Sequence, residues 1–225
     1  TAENGSLTID GNADLTETDL TAEAAEDITV TGILNVADTV VDLVSGANTV
    51  LGDDVNLTGS DVTVNAGEDI TVAGTVDAAS TTVDLTSGAN TEIGGDANLV
   101  NSAVTVNAGS DVTVADSLTE ESSNVTVTAG QDFSIGNDVT LTDASLSVTA
   151  GGNVTVTDTL KAEDSLAQIA AQTGDMRVQY VDATDSIATL VAEAGKYVGK
   201  TAIADASAVE ISGYTGIRLS GDERE

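Results

Sequence analysis

The 225-residue chain carries 38 Asp+Glu against 6 Lys+Arg, a formal net charge of −32, with no His, Pro, Cys or Trp. Leu, Ile, Val and Phe number 56, about a quarter of the chain, above the roughly 20% below which disorder is expected. The composition therefore permits a folded core, excludes imidazole bases, thiol nucleophiles and the usual zinc ligands, and opposes binding to nucleic acid or anionic lipid.

No apolar run approaches the ~20 residues of a membrane span, so no membrane insertion is expected. The absence of Cys leaves the redox compartment open. All six basic residues (Lys161, Arg177, Lys196, Lys200, Arg218, Arg224) follow position 160, so residues 1–160 hold 27 acids and no base. The start at Thr1, without Met or leader, reads as a processed product or a fragment.

An internal repeat dominates the chain and is the first signal to weigh. Its pattern begins with the alternating Leu7-Thr-Ile9 and reaches Leu20. It then becomes explicit as Val41-Asp-Leu-Val-Ser-Gly46, Val62-Thr-Val-Asn-Ala-Gly67, Val83-Asp-Leu-Thr-Ser-Gly88, Val104-Thr-Val-Asn-Ala-Gly109, Val125-Thr-Val-Thr-Ala-Gly130 and Leu146-Ser-Val-Thr-Ala-Gly151. Each hexapeptide starts 21 residues after the last. The register continues through Ala167, Ala188 and Val209 to Ile217-Arg-Leu219.

Each 21-residue row holds three segments of period-2 alternation, carried for example by Val55 and Leu57, Val62 and Val64, and Ile70 and Val72. The columns Leu20 to Val209, Ala22 to Ile211 and Ala13 to Ala202 are apolar in every row. At the chain's overall apolar content, one such column is about a one in ten thousand event. Alternation predicts strands with one buried face, and a fixed period predicts that each strand stacks on its counterpart. The expected fold is all-β: one three-sided parallel β-solenoid over residues 1–225, of about ten coils, right-handed and roughly 50 Å long at ~4.8 Å per coil. Residues 1–160 form the regular acidic coils, and residues 161–225 form less regular coils carrying every Lys and Arg.

The corners have their own columns. A small-residue column (Ser45 to Ala150) precedes a Gly column (Gly46 to Gly151), which suits a tight bend with positive φ. Asp27, Asn48, Asp69, Asn90, Asp111, Asp132 and Asn153 follow, types that tolerate left-handed backbone and bond locally. The column Thr18, Thr39, Ser60, Thr81, Ser102, Ser123, Ala144, Ser165, Ser186, Ser207 predicts a hydroxyl ladder. A doubled, 42-residue period overlies the repeat: Ser45-Gly-Ala-Asn-Thr49 matches Ser87-Gly-Ala-Asn-Thr91, and Asp42, Thr63, Asp84, Thr105 alternate. Skipping a coil holds like charges ~10 Å apart, about one Debye length at physiological salt.

The strings Val62-Thr-Val-Asn-Ala-Gly-Glu-Asp-Ile-Thr-Val72 and Val104-Thr-Val-Asn-Ala-Gly-Ser-Asp-Val-Thr-Val114 resemble repeats of filamentous-haemagglutinin-type bacterial exoproteins. The resemblance covers residues 20–160 best. It implies an extracellular, cell-surface rod, adhesin- or biofilm-associated, with cell-surface or matrix glycans as partners. The Asn-Pro-bearing secretion domain of that family has no counterpart here.

Catalysis is not expected, because the acids follow the repeat whereas an active site should break it. Asp53, Asp54, Glu68, Asp69, Glu120 and Glu121 form local acid pairs that could hold Ca²⁺ weakly, and no other cofactor is expected. A Thr array suggestive of ice binding is interrupted by Asp42, Asp84 and Glu210, and a carbohydrate-active solenoid is the other remote reading. Asn4, Asn56, Asn124 and Asn153 fit the glycosylation sequon. Arg177 falls on an otherwise apolar column, so a bulge is expected near Gly174 to Tyr180 that turns Met176 and Val178 inward and leaves Arg177 solvated or paired with an acid.

No capping element is evident at either end. The expected function is therefore a structural filament subunit joined head to tail, a homopolymer whose interface comprises Leu7, Thr8, Ile9, Lys196, Lys200, Ile217, Arg218, Leu219 and Arg224. The alternative is a shaft fragment of a large secreted adhesin.

Overall fold

The computed structural model describes residues 1–205, 207–213 and 216–219. It is a parallel β-solenoid of about ten turns of ~21 residues, with no helix among the described residues. A regular coil contributes one strand to each of three faces, as in Val40–Ser45 (face A), Thr49–Leu51 (face B) and Val55–Thr58 (face C). Each strand pairs in parallel with the strand one coil away: Val41 with Val62, Thr49 with Ile70, Val55 with Val76. Ten strands stack on face A, and the strands of faces B and C join into one sheet because Val154–Glu163 and Met176–Thr184 run through their shared corner.

The columns read from the sequence are the core. Val41, Val62 and Val83 line one column of face A, and Leu43, Val64 and Leu85 line the next; all are buried. The outward partners in the same strands, Asp42, Thr63 and Asp84, stand in register, so the alternation of charge with hydroxyl is realised coil by coil. Removing each Val or Leu side chain from water contributes about 1.5–3 kcal/mol. Because a coil touches only its neighbours, that stabilisation is shared pairwise along the rod.

The corner geometry corrects one expectation. Positive φ does not fall on the Gly46 column. Apart from Gly11 (φ 90°), it falls on Glu17, Asp38, Gly59, Ser80, Asn101, Ser122, Asp143, Asp164 and Asp185, a 21-residue series beside the hydroxyl column, at φ between 47° and 59°. Asp, Asn and Ser suit left-handed backbone there because short polar side chains bond locally. The Gly column answers a different demand: a Cβ on Gly67 would fall on the Gly46 carbonyl oxygen, and one on Gly88 on that of Gly67. These glycines admit close stacking of successive corners.

The irregularity at Arg177 resolves as a bulge. Val154 to Val156 pair with Met176 to Val178 at an offset of 22, and pairing returns to 21 at Thr159 with Tyr180. One extra residue is therefore taken up in the corner before Met176, and Thr157 with Asp158 later oppose Gln179 alone. Met176 and Val178 are fully buried and Arg177 is exposed, in an outward column between Thr155 and Val198. Had the 21-residue register held, a guanidinium would have entered an apolar core without a partner.

Candidate functional site

Three ladders of polar side chains run along the corners. In the first, the Asn48 N–H donates to Asp27 Oδ1 (3.0 Å), Asp69 N–H to Asn48 Oδ1 (3.2 Å), and Asn90 N–H to Asp69 Oδ1 (2.8 Å). The series continues through Asp111, Asp132, Asn153 and Asp175 to the Lys196 N–H. Asn48 and Asn90 also donate Nδ2–H to Asp27 and Asp69, at 3.0 Å each. An Asn rung thus separates two carboxylates and supplies a donor to one of them.

The second ladder has the doubled period in full. Asn12, Asp54, Asp96 and Asp138 each accept the backbone N–H of the next coil, from Ile33, Thr75, Ser117 and Thr159. The third is the hydroxyl ladder, and it runs the other way. Thr39 N–H donates to Ser60 Oγ (3.2 Å), Thr81 N–H to Ser102 Oγ (3.2 Å) and Ser165 N–H to Ser186 Oγ (2.9 Å). Each hydroxyl in turn donates to the carbonyl two residues earlier, as Ser60 does to Thr58 O (2.8 Å). Together these ladders satisfy corner N–H groups that the strand pairing leaves over.

Three of the six candidate Ca²⁺ residues accept hydrogen bonds at these corners. Asp53 Oδ1 accepts the Asp54 N–H, Asp54 Oδ1 that of Thr75, and Asp69 Oδ1 two donors from Asn90. Glu68 projects outward beside Asp69. No group of three or more acids among the described residues is arranged to hold a metal ion. The Glu120–Glu121 pair is corrected outright: strand alternation sends Glu121 to solvent and Glu120 into the core. Glu120 stands in register between Leu99 and Leu141, is 0% exposed, and neither carboxyl oxygen has a hydrogen-bond partner. Burial pushes its carboxyl well above the usual carboxylate range. The signal was in the column Leu15, Val36, Leu57, Ala78, Leu99, Glu120, Leu141, where one acid interrupts a run of apolar residues.

The expected interface residues divide. Leu7, Thr8 and Ile9 form the first strand of face B and pair only with Ile28–Val30. Ile217, Arg218 and Leu219 lie in Gly216–Leu219, which among the described residues pairs only with Lys196–Gly199. These are the opposite edges of one face. Lys196 therefore sits one coil in from the edge, not on it. Lys200 is held on the flank, with Nζ 3.4 Å from the Tyr180 hydroxyl and 5.3 Å from its ring centroid. Arg224 lies outside the described residues. At the first edge, Ala2 bridges to Ala24 (Ala2 N–H to Glu23 O, 2.7 Å; Ala25 N–H to Ala2 O, 2.9 Å), covering one end of the face A strand Leu20–Ala24.

Two sequon side chains are already engaged: Asn56 donates to Asn35 Oδ1 (2.8 Å) and Asn153 to Asp132. Asn4 and Asn124 are exposed. Compared with known proteins, the chain matches no family model, and no curated protein or solved structure is significantly similar to it.

Proposed function

We propose that this chain is a non-catalytic structural rod of an extracellular filament, extended lengthwise by stacking one terminal coil on another. The observation that carries the reading is the pair of opposite edges. On faces B and C the first and last described strands have one bonded neighbour strand each, and on face A the outer side of Leu20–Ala24 is met by the Ala2 bridge alone; the free sides offer the same parallel register that joins every internal coil. An unpaired strand edge is a template for another strand. A contact between unlike ends is heterologous and gives an open filament rather than a closed dimer.

The polar chemistry supports a scaffold over an enzyme. Carboxylates that would have to converge for hydrolysis are instead distributed one per corner and accept backbone N–H groups. The adhesin-shaft reading uses the same edges, with the next coil supplied by the same polypeptide. The resemblance of residues 62–72 and 104–114 to exoprotein repeats favours it as the second choice.

Electron microscopy and sedimentation of the purified 225-residue chain over a range of concentrations test the filament. Uniform rods that lengthen with concentration, with a ~4.8 Å axial repeat in fibre diffraction, are expected. A chain that stays monomeric at high concentration overturns head-to-tail assembly and leaves the adhesin-shaft reading.

A further inference from the structure

Glu120 has no structural use where it stands. The inward residues beside it on face C are Ala97 and Leu99 from the preceding coil and Val139 and Leu141 from the following one, all buried. Apart from the phenol of Tyr197, Glu120 is the sole acid or base among the buried described residues, so no titratable or charged group faces it from any element. The interior is also under-filled at this level. An apolar cavity of about 60 Å³ is bounded in part by Leu99 and Leu118, the residues next to Glu120 across the sheet and along the strand. No register slip repairs the position. Moving Leu118–Glu121 by one residue would bring Glu121 inward and turn Leu118 out.

We propose that Glu120 makes the coil of residues 112–129 a proton-operated opening in the rod: the strand Leu118–Glu121 stays docked while the carboxyl is protonated and swings outward when it ionises. A neutral carboxyl tolerates an apolar site far better than a carboxylate, which needs partners or water. To reach a polar partner or bulk water this side chain has to leave the core, which it does when its strand leaves the stack. The cavity lowers the packing lost when it does so. The open strand would uncover the edges of Ala97–Val100 and Val139–Thr142 in mid-rod, so acidity selects the continuous form.

The direction in pH follows from linkage. Burial raises the carboxyl of the docked form above its value in the open form, about 4.3 for an exposed Glu. Docking is therefore complete below about pH 4.3. Above that the docked-to-open ratio falls about tenfold per pH unit, until the docked carboxyl itself ionises.

Hydrogen exchange of the full chain from pH 4 to 8, corrected for intrinsic rates, tests this in wild type, Glu120→Gln and Glu120→Leu. In wild type, protection of Leu118–Glu121 should fall steeply with pH while the equivalent strand Val55–Thr58 stays level. Glu120→Leu, which restores the apolar column, should remove the fall and raise protection, and Glu120→Gln should remove the pH dependence alone. The proposal is overturned if wild-type Leu118–Glu121 tracks Val55–Thr58 at every pH, or if Glu120→Leu keeps the wild-type profile. Wild type and Glu120→Leu decide the matter even where the Gln variant fails to fold.

Discussion

The hydroxyls of Ser45 and Thr49 lie 2.9 Å apart inside the corner between faces A and B, and Ser87 and Thr91 repeat that contact at 2.9 Å two coils on. In the intervening coil the register places Ala66 and Ile70 at the same two positions. The doubled period therefore reaches the interior, where it alternates a mutually bonded polar pair with an apolar one. Thr49 and Thr91 are buried, so replacing the serine orphans the threonine hydroxyl, whereas Ser45 and Ser87 also donate to a carbonyl two residues on (Ala47 O, 3.3 Å; Ala89 O, 3.4 Å).

A double-mutant cycle at this corner should show strong coupling. Ser87→Ala should destabilise by about 1–3 kcal/mol, since it leaves the buried Thr91 hydroxyl unpaired, and Thr91→Val should cost less, since Ser87 keeps its long bond to Ala89 O (3.4 Å). Ser87→Ala with Thr91→Val, which approximates the Ala66/Ile70 corner, should cost less than Ser87→Ala alone. Chemical denaturation of the four proteins measures the coupling, and strictly additive effects would contradict the paired reading.

One position in the hydroxyl column, Ala144, lacks a hydroxyl, and it can be supplied. Ser102 N–H donates to Ser123 Oγ (3.1 Å), but the residue one coil beyond Ser123 is Ala144, which offers its N–H to Ser165 Oγ (3.0 Å) and no acceptor of its own. Ala144→Ser should accept the Ser123 N–H and donate to Thr142 O, as Ser123 does to Glu121 O. The expected gain is about 1 kcal/mol, a rise of roughly 2–4 °C in Tm for a chain of this size. An unchanged or lower Tm would show that the rung is not stabilising at this corner.

The ladders also show what a repeat exposes to a reader and what it hides. Period and alternation fix which face each residue takes, so the core columns, the hydroxyl ladder and the exit of Arg177 from the interior were all legible. Gly46 and Gly59 were not separable by that reasoning. Glycine serves where φ is positive and equally where a Cβ has no room, and the sequence pattern at a corner is compatible with both. The structure assigns the first role to the Gly59 column and the second to the Gly46 column. Glu120 was missed for another reason: read beside Glu121 it is one of two surface acids, and only its 21-residue column discloses a buried position. Proximity in sequence was the wrong measure of company in a strand.

Asp111 and Asp132 are the one place where the first ladder sets carboxylates on adjacent coils, with Asp132 N–H donating to Asp111 Oδ1 at 2.9 Å. At ~5 Å in a water-like dielectric the repulsion is about 0.8 kcal/mol. Asp111→Asn keeps the acceptor and removes the repulsion, so it should raise Tm at low salt. The advantage over wild type should shrink as salt shortens the Debye length. Paired melts at about 0.01 M and 1 M NaCl measure it, and a salt-independent difference would assign the effect to something other than charge.

Adjacent residues of one strand should respond very unequally to the same acid. Val106 is inward between Leu85 and Val127, whereas Thr105 is outward between Asp84 and Thr126. Val106→Asp would bury a charge with no partner and should cost at least ~3 kcal/mol. Thr105→Asp adds one exposed repulsion with Asp84, about 1 kcal/mol at low salt. Melts of the two variants should separate clearly, and equal shifts would contradict the strand register.

The two kinds of corner glycine lead to a comparison that inverts the usual expectation. Gly59 has φ 59°, yet eight other coils place Glu, Asp, Ser or Asn at the same position, and a Cβ there would press only on the mobile end of the Asp38 side chain. Gly59→Asn should therefore be tolerated within about 1 kcal/mol, because Asn accepts left-handed backbone and the unfolded chain loses freedom in the exchange. Gly109 has no positive φ, but a Cβ on it would fall on the Gly88 carbonyl oxygen, and that oxygen belongs to a backbone fixed by coils on both sides. Gly109→Ala should force the stacked corners apart and cost about 3 kcal/mol, at the upper end of overpacking effects. Thermal and urea unfolding of the two variants make the comparison. Should Gly109→Ala be harmless while Gly59→Asn unfolds the chain, the roles assigned to the two glycine columns would have to be exchanged.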